Sequence, residues 1–175
     1  NYQLIVLAPN CAQEMCDLTM LSFELADKYR NPVAIVADGF IGQMMEPVDV
    51  PDPVTTFPEK PWAVKGSAAT RDNLISSIHL GHNELEAHID HLYEKYAVVE
   101  KHEVRYEEYR LDDAEYVGVA YGIVSRVLMT AIDRARAAGI KIGMLRPITL
   151  WPFPVAALDQ VSRRVKGFLV AECSK

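Results

Sequence analysis

The sequence predicts an α/β fold built on a parallel sheet, and three observations carry that prediction. Strand-like apolar runs alternate with helical patterns at the spacing of right-handed βαβ units. The run at 33–37 is β-branched and unalternating, as in a strand covered on both faces. Several strand ends pass directly into Pro, Asn or Gly: Ala8-Pro9-Asn10, Asp38-Gly39 and Arg146-Pro147.

The first strand is read at 4–8. Asn10 follows as an N-cap, with Gln13 three residues on to complete a capping box. The helix it starts is expected to run from about Cys11 to Tyr29 and stop at Asn31-Pro32. Its apolar residues lie on several sides, which predicts burial on more than one face. The second strand, 33–37, ends at Asp38-Gly39. Between 47 and 61 fall five prolines, Pro47, Pro51, Pro53, Pro58 and Pro61, the composition of an extended linker. Residues 62–81 carry mixed signals and are assigned nothing. A long helix is expected over 83–109, where Leu85, Ile89, Leu92, Tyr96, Val99 and Tyr106 follow a 3-4 spacing broken only at Glu103. At 1.5 Å per residue it would reach roughly 39 Å, the length of a brace across a surface.

A third strand is read at 116–121, and Gly122 makes the turn into a helix at 123–138. Gly139 ends that helix, and Ile140, Ile142, Met144 and Leu145 form the next strand. Arg146-Pro147 is expected to end it, opening a loop stiffened by Pro152 and Pro154 that exposes Trp151 and Phe153. A helix near 155–165 and a strand at 168–171 follow. The chain starts almost on a strand and ends just past one, so it is read as an excised piece of a longer polypeptide.

With 50% hydrophobic and 24% charged residues, the composition is that of a globular chain. A net charge of −6 supplies no basic footprint for nucleic acid. No apolar run approaches the roughly 20 residues of a membrane span. The three cysteines, Cys11, Cys16 and Cys173, contain no C-x-x-C, and a cubane cluster usually needs four thiolates, so none is expected here. They read as free thiols of a reducing, cytoplasmic setting.

Several chemistries find no support. Gly118-Val-Ala-Tyr-Gly122 lacks the spacing of a dinucleotide loop. Five histidines lie between His79 and His102, with His79/His82 and His88/His91 three apart, but no H-E-x-x-H occurs and no metal ligand is assigned. There is no G-x-S-x-G elbow. The glutamates of 84–108 read as a solvated helix face, without a placed acid/base pair.

Three segments, LIVLAPNCAQEM at 4–15, PVAIVADGFIGQMMEP at 32–47 and IKIGMLRPITLWPFP at 140–154, stand in an order that resembles the α subunit of 2-oxoacid:ferredoxin oxidoreductases. Within that family, 83–109 resembles the 2-oxoisovalerate branch more than the oxoglutarate branch. The resemblance implies a fold in two parts. Residues 1–46 would end a thiamine-diphosphate pyrimidine-binding-type domain, 47–82 would be the linker, and 83–175 a truncated transketolase C-terminal-like α/β/α domain. It implies oxidative decarboxylation of a 2-oxoacid with coenzyme A, electrons passing to ferredoxin. It also implies thiamine diphosphate, Mg and iron–sulfur clusters in the holoenzyme, and as partners a thiamine-binding β subunit, a ferredoxin-like subunit and ferredoxin. The glutamate that meets the aminopyrimidine ring would lie upstream of Asn1. No catalytic, cofactor or metal residue is therefore assigned. Asp38, Gln43, Met44, Arg146, Trp151 and Phe153 are expected at the subunit interface or active-site rim. Two alternatives stay open: a non-catalytic α/β assembly module, and the C-terminal domain of a non-redox transketolase-like enzyme.

Overall fold

The computed structural model describes residues 3–57 and 59–173; the linker proline Pro58 and the chain termini lie outside them. The chain divides into two compact units, Asn1–Asp49 with Val98–Lys175, and Val50–Ala97.

The first unit begins with β1 (Ile5–Leu7), α1 (Ala12–Tyr29), β2 (Val33–Ile35) and the short helix α2 (Gly39–Gln43). α1 ends where expected, at Arg30 in the left-handed region (φ 45°), whose N–H reaches Ala26 O. Its start differs by one residue. Cys11 is the N-cap, its Sγ accepting from Glu14 N, while the Glu14 carboxylate accepts from Asn10 N at 2.9 Å. An ionised carboxylate is the stronger acceptor, and Gln13 is engaged instead with the backbone of Asp49.

The unit resumes in the last turn of α3 (His82–His102), followed by β3 (Tyr106–Tyr109), β4 (Tyr116–Val119), α4 (Gly122–Ala137), β5 (Ile142–Pro147), β6 (Thr149–Trp151), α5 (Val155–Ser162) and β7 (Gly167–Val170). Two expectations are corrected here. The helix stops at His102, and Tyr106 belongs to a strand antiparallel to β5, with Tyr106 opposite Pro147. Glu103, 3% exposed and tied to α1, turns the chain inward at the break in the seam. The alternating Y-E-E-Y then has the period of a strand. β5 ends at Arg146-Pro147 as expected, and the second correction concerns the loop expected after it. After those residues the chain makes another strand, β6, paired antiparallel to β1.

Two sheets result, ordered β2-β1-β6 and β3-β5-β4-β7. The β1–β2, β4–β5 and β4–β7 pairs are parallel, and each sheet carries one antiparallel edge strand. In the larger sheet, successive β5 residues face opposite layers. Met144 packs with Leu128 and Ile132 of α4, and Leu145 with Ala157 and Val161 of α5. That is the expected α/β/α layering. Gly118 lets α4 approach closely: a Cβ there would stand 2.6 Å from Leu128 Cδ2. The smaller sheet packs Ile5 and Leu7 against Leu18, Leu25 and Tyr29 of α1, and Val99 of α3 joins this core with no exposure.

The second unit holds a 3-10 helix (Ala68–Asn73) and the first turns of α3. Asn73 Nδ2 donates to the carbonyls of Pro61 and Ala63 at 2.8 and 3.1 Å. His79 stacks on His88 at 4.4 Å, a different pairing from the three-residue spacings of the sequence. None of this unit's described residues is buried.

Candidate functional site

In parallel α/β sheets the carboxyl ends of strands, where helices begin, are where sites form. Here β1, β2 and β4 end close to the N-termini of α1, α2 and α4, all within the first unit. Asp38, the residue after β2, organises two of those helices. Its Oδ1 accepts from the N–H groups of Phe40 and Ile41 at 3.0 Å each, capping α2. Its Oδ2 accepts from Ile123 N at 2.8 Å, capping α4 across the chain. Gly122 turns into α4 at φ 58°, and a Cβ there would stand 3.0 Å from Asp38 Oδ2. Burial opposes ionisation of Asp38, but the N–H groups of Ile41, Ile123 and Phe40 outweigh it and hold the carboxyl below its usual range.

The strap after α2 is fastened to the same corner. Glu46 accepts from Ala12 N at 3.0 Å and from the Arg126 guanidinium at 2.7 Å. The Ala12 N–H and then Arg126 hold its carboxyl below the ordinary range. Gln13 exchanges two hydrogen bonds with the Asp49 backbone, at 2.7 and 3.1 Å.

Beneath lies a charged interior. Arg146, 1% exposed, donates through both terminal nitrogens to Glu14 at 2.6 and 2.9 Å. Its Nε sits 3.0 Å from Glu107 Oε2, close enough to pair charges but off the hydrogen-bond direction. Glu103 accepts from Lys28 (2.7 Å), Tyr29 (2.6 Å) and Arg105 (2.9 Å). Burial works against its charge, yet Lys28, Tyr29 and Arg105 pull its pKa down to about 2.

The six rim expectations thus fall in different places. Gln43 and Phe153 are exposed, Asp38, Met44 and Trp151 half-buried, and Arg146 is interior. Asp38, Gln43 and Met44 share the β2–α2 corner, while Trp151 and Phe153 border a separate hollow of about 720 Å³ with Lys101, Tyr106, Pro152 and Pro154. The Trp151–Pro152 peptide is cis. Sequence reasoning missed Glu14, Glu46 and Glu103. Glu103 had one signal, its interruption of the 3-4 seam; Glu14 and Glu46 had none, because their partners are remote in sequence.

The residues present do not fit a metal-bound diphosphate or an iron–sulfur cluster. Asp38, Glu14, Glu46 and Glu103 are each occupied by protein donors. The three thiols are free, with Cys11 and Cys16 half-buried and Cys173 exposed, one fewer than the four ligands a cluster usually takes. Among the described residues no group of His, Cys, Asp and Glu could hold a metal ion, and no helix is long and apolar enough to cross a membrane. What the corner can do chemically is fix the N-terminal ends of three helices beside a strand-end rim.

Comparison with known proteins places this architecture. The family described as "Pyruvate flavodoxin/ferredoxin oxidoreductase, thiamine diP-bdg" matches residues 1–111, and "Pyruvate:ferredoxin oxidoreductase core domain II" matches 114–175. Ketoisovalerate oxidoreductase subunit VorB of Methanothermobacter marburgensis is 57% identical over 175 residues, covering 99% of this chain and 50% of that protein. 2-Oxoglutarate synthase subunit KorA of Methanocaldococcus jannaschii is 32% identical, covering 95% of this chain and 51% of that protein. In structure, the chain resembles a 2-oxoglutarate:ferredoxin oxidoreductase from Magnetococcus marinus with 2-oxoglutarate, coenzyme A and succinyl-CoA bound. The TM-score is 0.76 at 19% identity, over 98% of this chain and 35% of that one, a likeness of fold. The chain spans about half the length of the curated relatives it matches.

Proposed function

The chain belongs to the 2-oxoacid:ferredoxin oxidoreductase family, and from that membership we propose that it is part of the α subunit of an enzyme acting on 2-oxoisovalerate. The reaction converts the 2-oxoacid and coenzyme A to an acyl-CoA and CO2, while two electrons pass to ferredoxin. The observation that carries the choice of substrate is the 57% identity to a ketoisovalerate oxidoreductase subunit, against 32% to a 2-oxoglutarate synthase subunit. Thiamine diphosphate with Mg, and iron–sulfur clusters, belong to the holoenzyme in this reading, since the residues described do not suit them. The partners are a thiamine-binding β subunit, a ferredoxin-like subunit and ferredoxin. Free cysteines support a cytoplasmic, reducing location.

This part of the subunit acts by support. Residues 1–46 end the pyrimidine-binding-type domain, 47–82 are the linker, and 83–175 form the transketolase C-terminal-like part. The lack of any strand among the described residues of 47–82 supports the linker. Asp38, Gln43, Met44, Trp151 and Phe153 border the active site or the α/β subunit boundary. Arg146 acts from inside, holding α1 through Glu14. The test is coenzyme A-dependent ferredoxin reduction by the purified holoenzyme with 2-oxoisovalerate, 2-oxoglutarate and pyruvate. The highest kcat/KM is expected for 2-oxoisovalerate; a preference for 2-oxoglutarate overturns the assignment.

A further inference from the structure

The first unit consists of two halves with separate apolar cores. One holds the β2-β1-β6 sheet with α1, α2 and the last turn of α3; the other holds the β3-β5-β4-β7 sheet with α4 and α5. The buried apolar side chains form one cluster around Ile5, Leu7 and Val99 in the first half, and two around Leu145 and Met144 in the second. Among the described residues, none of these clusters draws on both halves. Parts of a chain joined without a common apolar core move relative to one another unless other contacts fix them.

The joining contacts differ at the two edges of the smaller sheet. At the β6 edge the chain passes between the halves at Arg105 and again at Ile148, and the two crossings are bonded to each other. Arg105 O accepts from Ile148 N and Thr149 N at 3.0 Å each, and Arg105 N donates to Thr149 Oγ1 at 2.9 Å. Thr149 is fully buried. A few residues at element ends, crossing together, are what a hinge is made of. Beyond β2, at the opposite edge, the contacts are charged: Asp38 accepts from Ile123 N and Glu46 from Arg126. Glu14 of α1 accepts from Arg146. In all three, a carboxylate of the first half accepts from a donor of the second.

These contacts can part without stranding a charge. Asp38 keeps Phe40 N and Ile41 N, Glu46 keeps Ala12 N, and Glu14 keeps Asn10 N. Arg146 keeps Glu107. Each retained partner lies in the same half as the group it serves. Loss of a sole partner is what makes breaking a buried ion pair costly, and that condition does not hold for these four groups.

We propose that the first unit is hinged: its halves turn about Arg105 and Thr149, while Asp38, Glu46 and Glu14 form a latch that opens as one and uncovers the N-terminus of α4. The inference rests on neither the substrate nor the reaction.

The test is hydrogen exchange resolved to single amides, on the full-length protein in complex with its partner subunits. Ile123 N–H reports the latch, because its acceptor belongs to the other half. Ile148 and Thr149 N–H report the hinge. Glu46→Gln and Glu14→Gln alter latch residues other than the acceptor of Ile123 N. Each should speed exchange at Ile123 about tenfold or more, with Ile148 and Thr149 unchanged, as a sub-global opening requires. Unchanged exchange at Ile123 in both variants overturns the proposal, because the three contacts then act separately. A rise confined to one variant overturns it for the same reason. So does equal acceleration at Ile148 and Thr149, which would mean that the whole unit loosens and nothing turns about a fixed hinge.

Discussion

Replacing Glu103 by Gln keeps the size of the side chain and removes the charge that Lys28, Tyr29 and Arg105 surround. The carboxyl titrates at about 2 in the fold, against its ordinary 4.5. A pKa depressed on folding stabilises the folded state above the unfolded pKa, and that contribution disappears as pH falls toward the folded one. Its size is on the order of 3 kcal/mol at pH 7, since each tenfold shift in proton affinity is worth about 1.4 kcal/mol. Because Glu103 is 3% exposed, little of this is lost to solvent screening. Urea titrations of wild type and Glu103→Gln at pH 7, 5, 4 and 3 make the assay. The variant is expected to be about 3 kcal/mol less stable at pH 7 and 5, with the gap narrowing below about pH 4.5 to roughly half by pH 3. A gap that stays constant from pH 7 to 3 refutes the reasoning, because the loss would then come from shape rather than charge.

Three further outcomes follow from the same geometry. Arg146→Met leaves Glu14 and Glu107 without their cation and should cost about 3 kcal/mol in urea unfolding, the usual penalty for stripping one member from a buried pair; a change below about 0.5 kcal/mol contradicts the pairing. Gly118→Ala forces Leu128 aside and should lower stability by about 1–3 kcal/mol, read as a drop in Tm, while an unchanged Tm would mean α4 can shift freely. Asp38→Ala strips one cap from two helices at once and should cost about 2 kcal/mol. For Asp38→Asn, which still accepts hydrogen bonds, a smaller loss is expected at pH 7, and an equal loss would assign the effect to the charge.

Much of the fold was legible because its signals are local. Proline, glycine and the 3.6-residue pattern located α1, α4 and α5 to within a few residues, and the 33–37 run located β2, which is a half-buried edge strand rather than one covered on both faces. The misses share a cause. β3 was read as the tail of α3 because Tyr106 continues the 3-4 spacing, and only the tertiary pull on Glu103 ends the helix. β6 is three residues between two prolines, and its partner β1 lies at the other end of the chain; nothing local announces it. Asp38 was recognisable as a strand-end residue before a glycine, but its bond to Ile123 N depends on where α4 begins in space. Arg146 sat beside a proline and was read into a loop; its burial goes with its pairing to Glu14, 132 positions earlier in sequence.

The Glu14–Arg146 pair spans 132 positions of sequence. During synthesis α1 leaves the ribosome long before its counter-charge exists. Through that interval Glu14 has its local partner Asn10 N but no counter-charge from Arg146, and the β6-facing edge of β1 is unpaired, since β6 emerges just after Arg146. The opening strand and helix are thus committed late, by residues made near the end of this stretch. Contacts of such separation close slowly and leave apolar strand edges open to wrong pairing in the meantime. The nascent N-terminal half is therefore a natural client for chaperones, and ribosome stalling between Asp49 and Arg146 would prolong the interval in which it needs them.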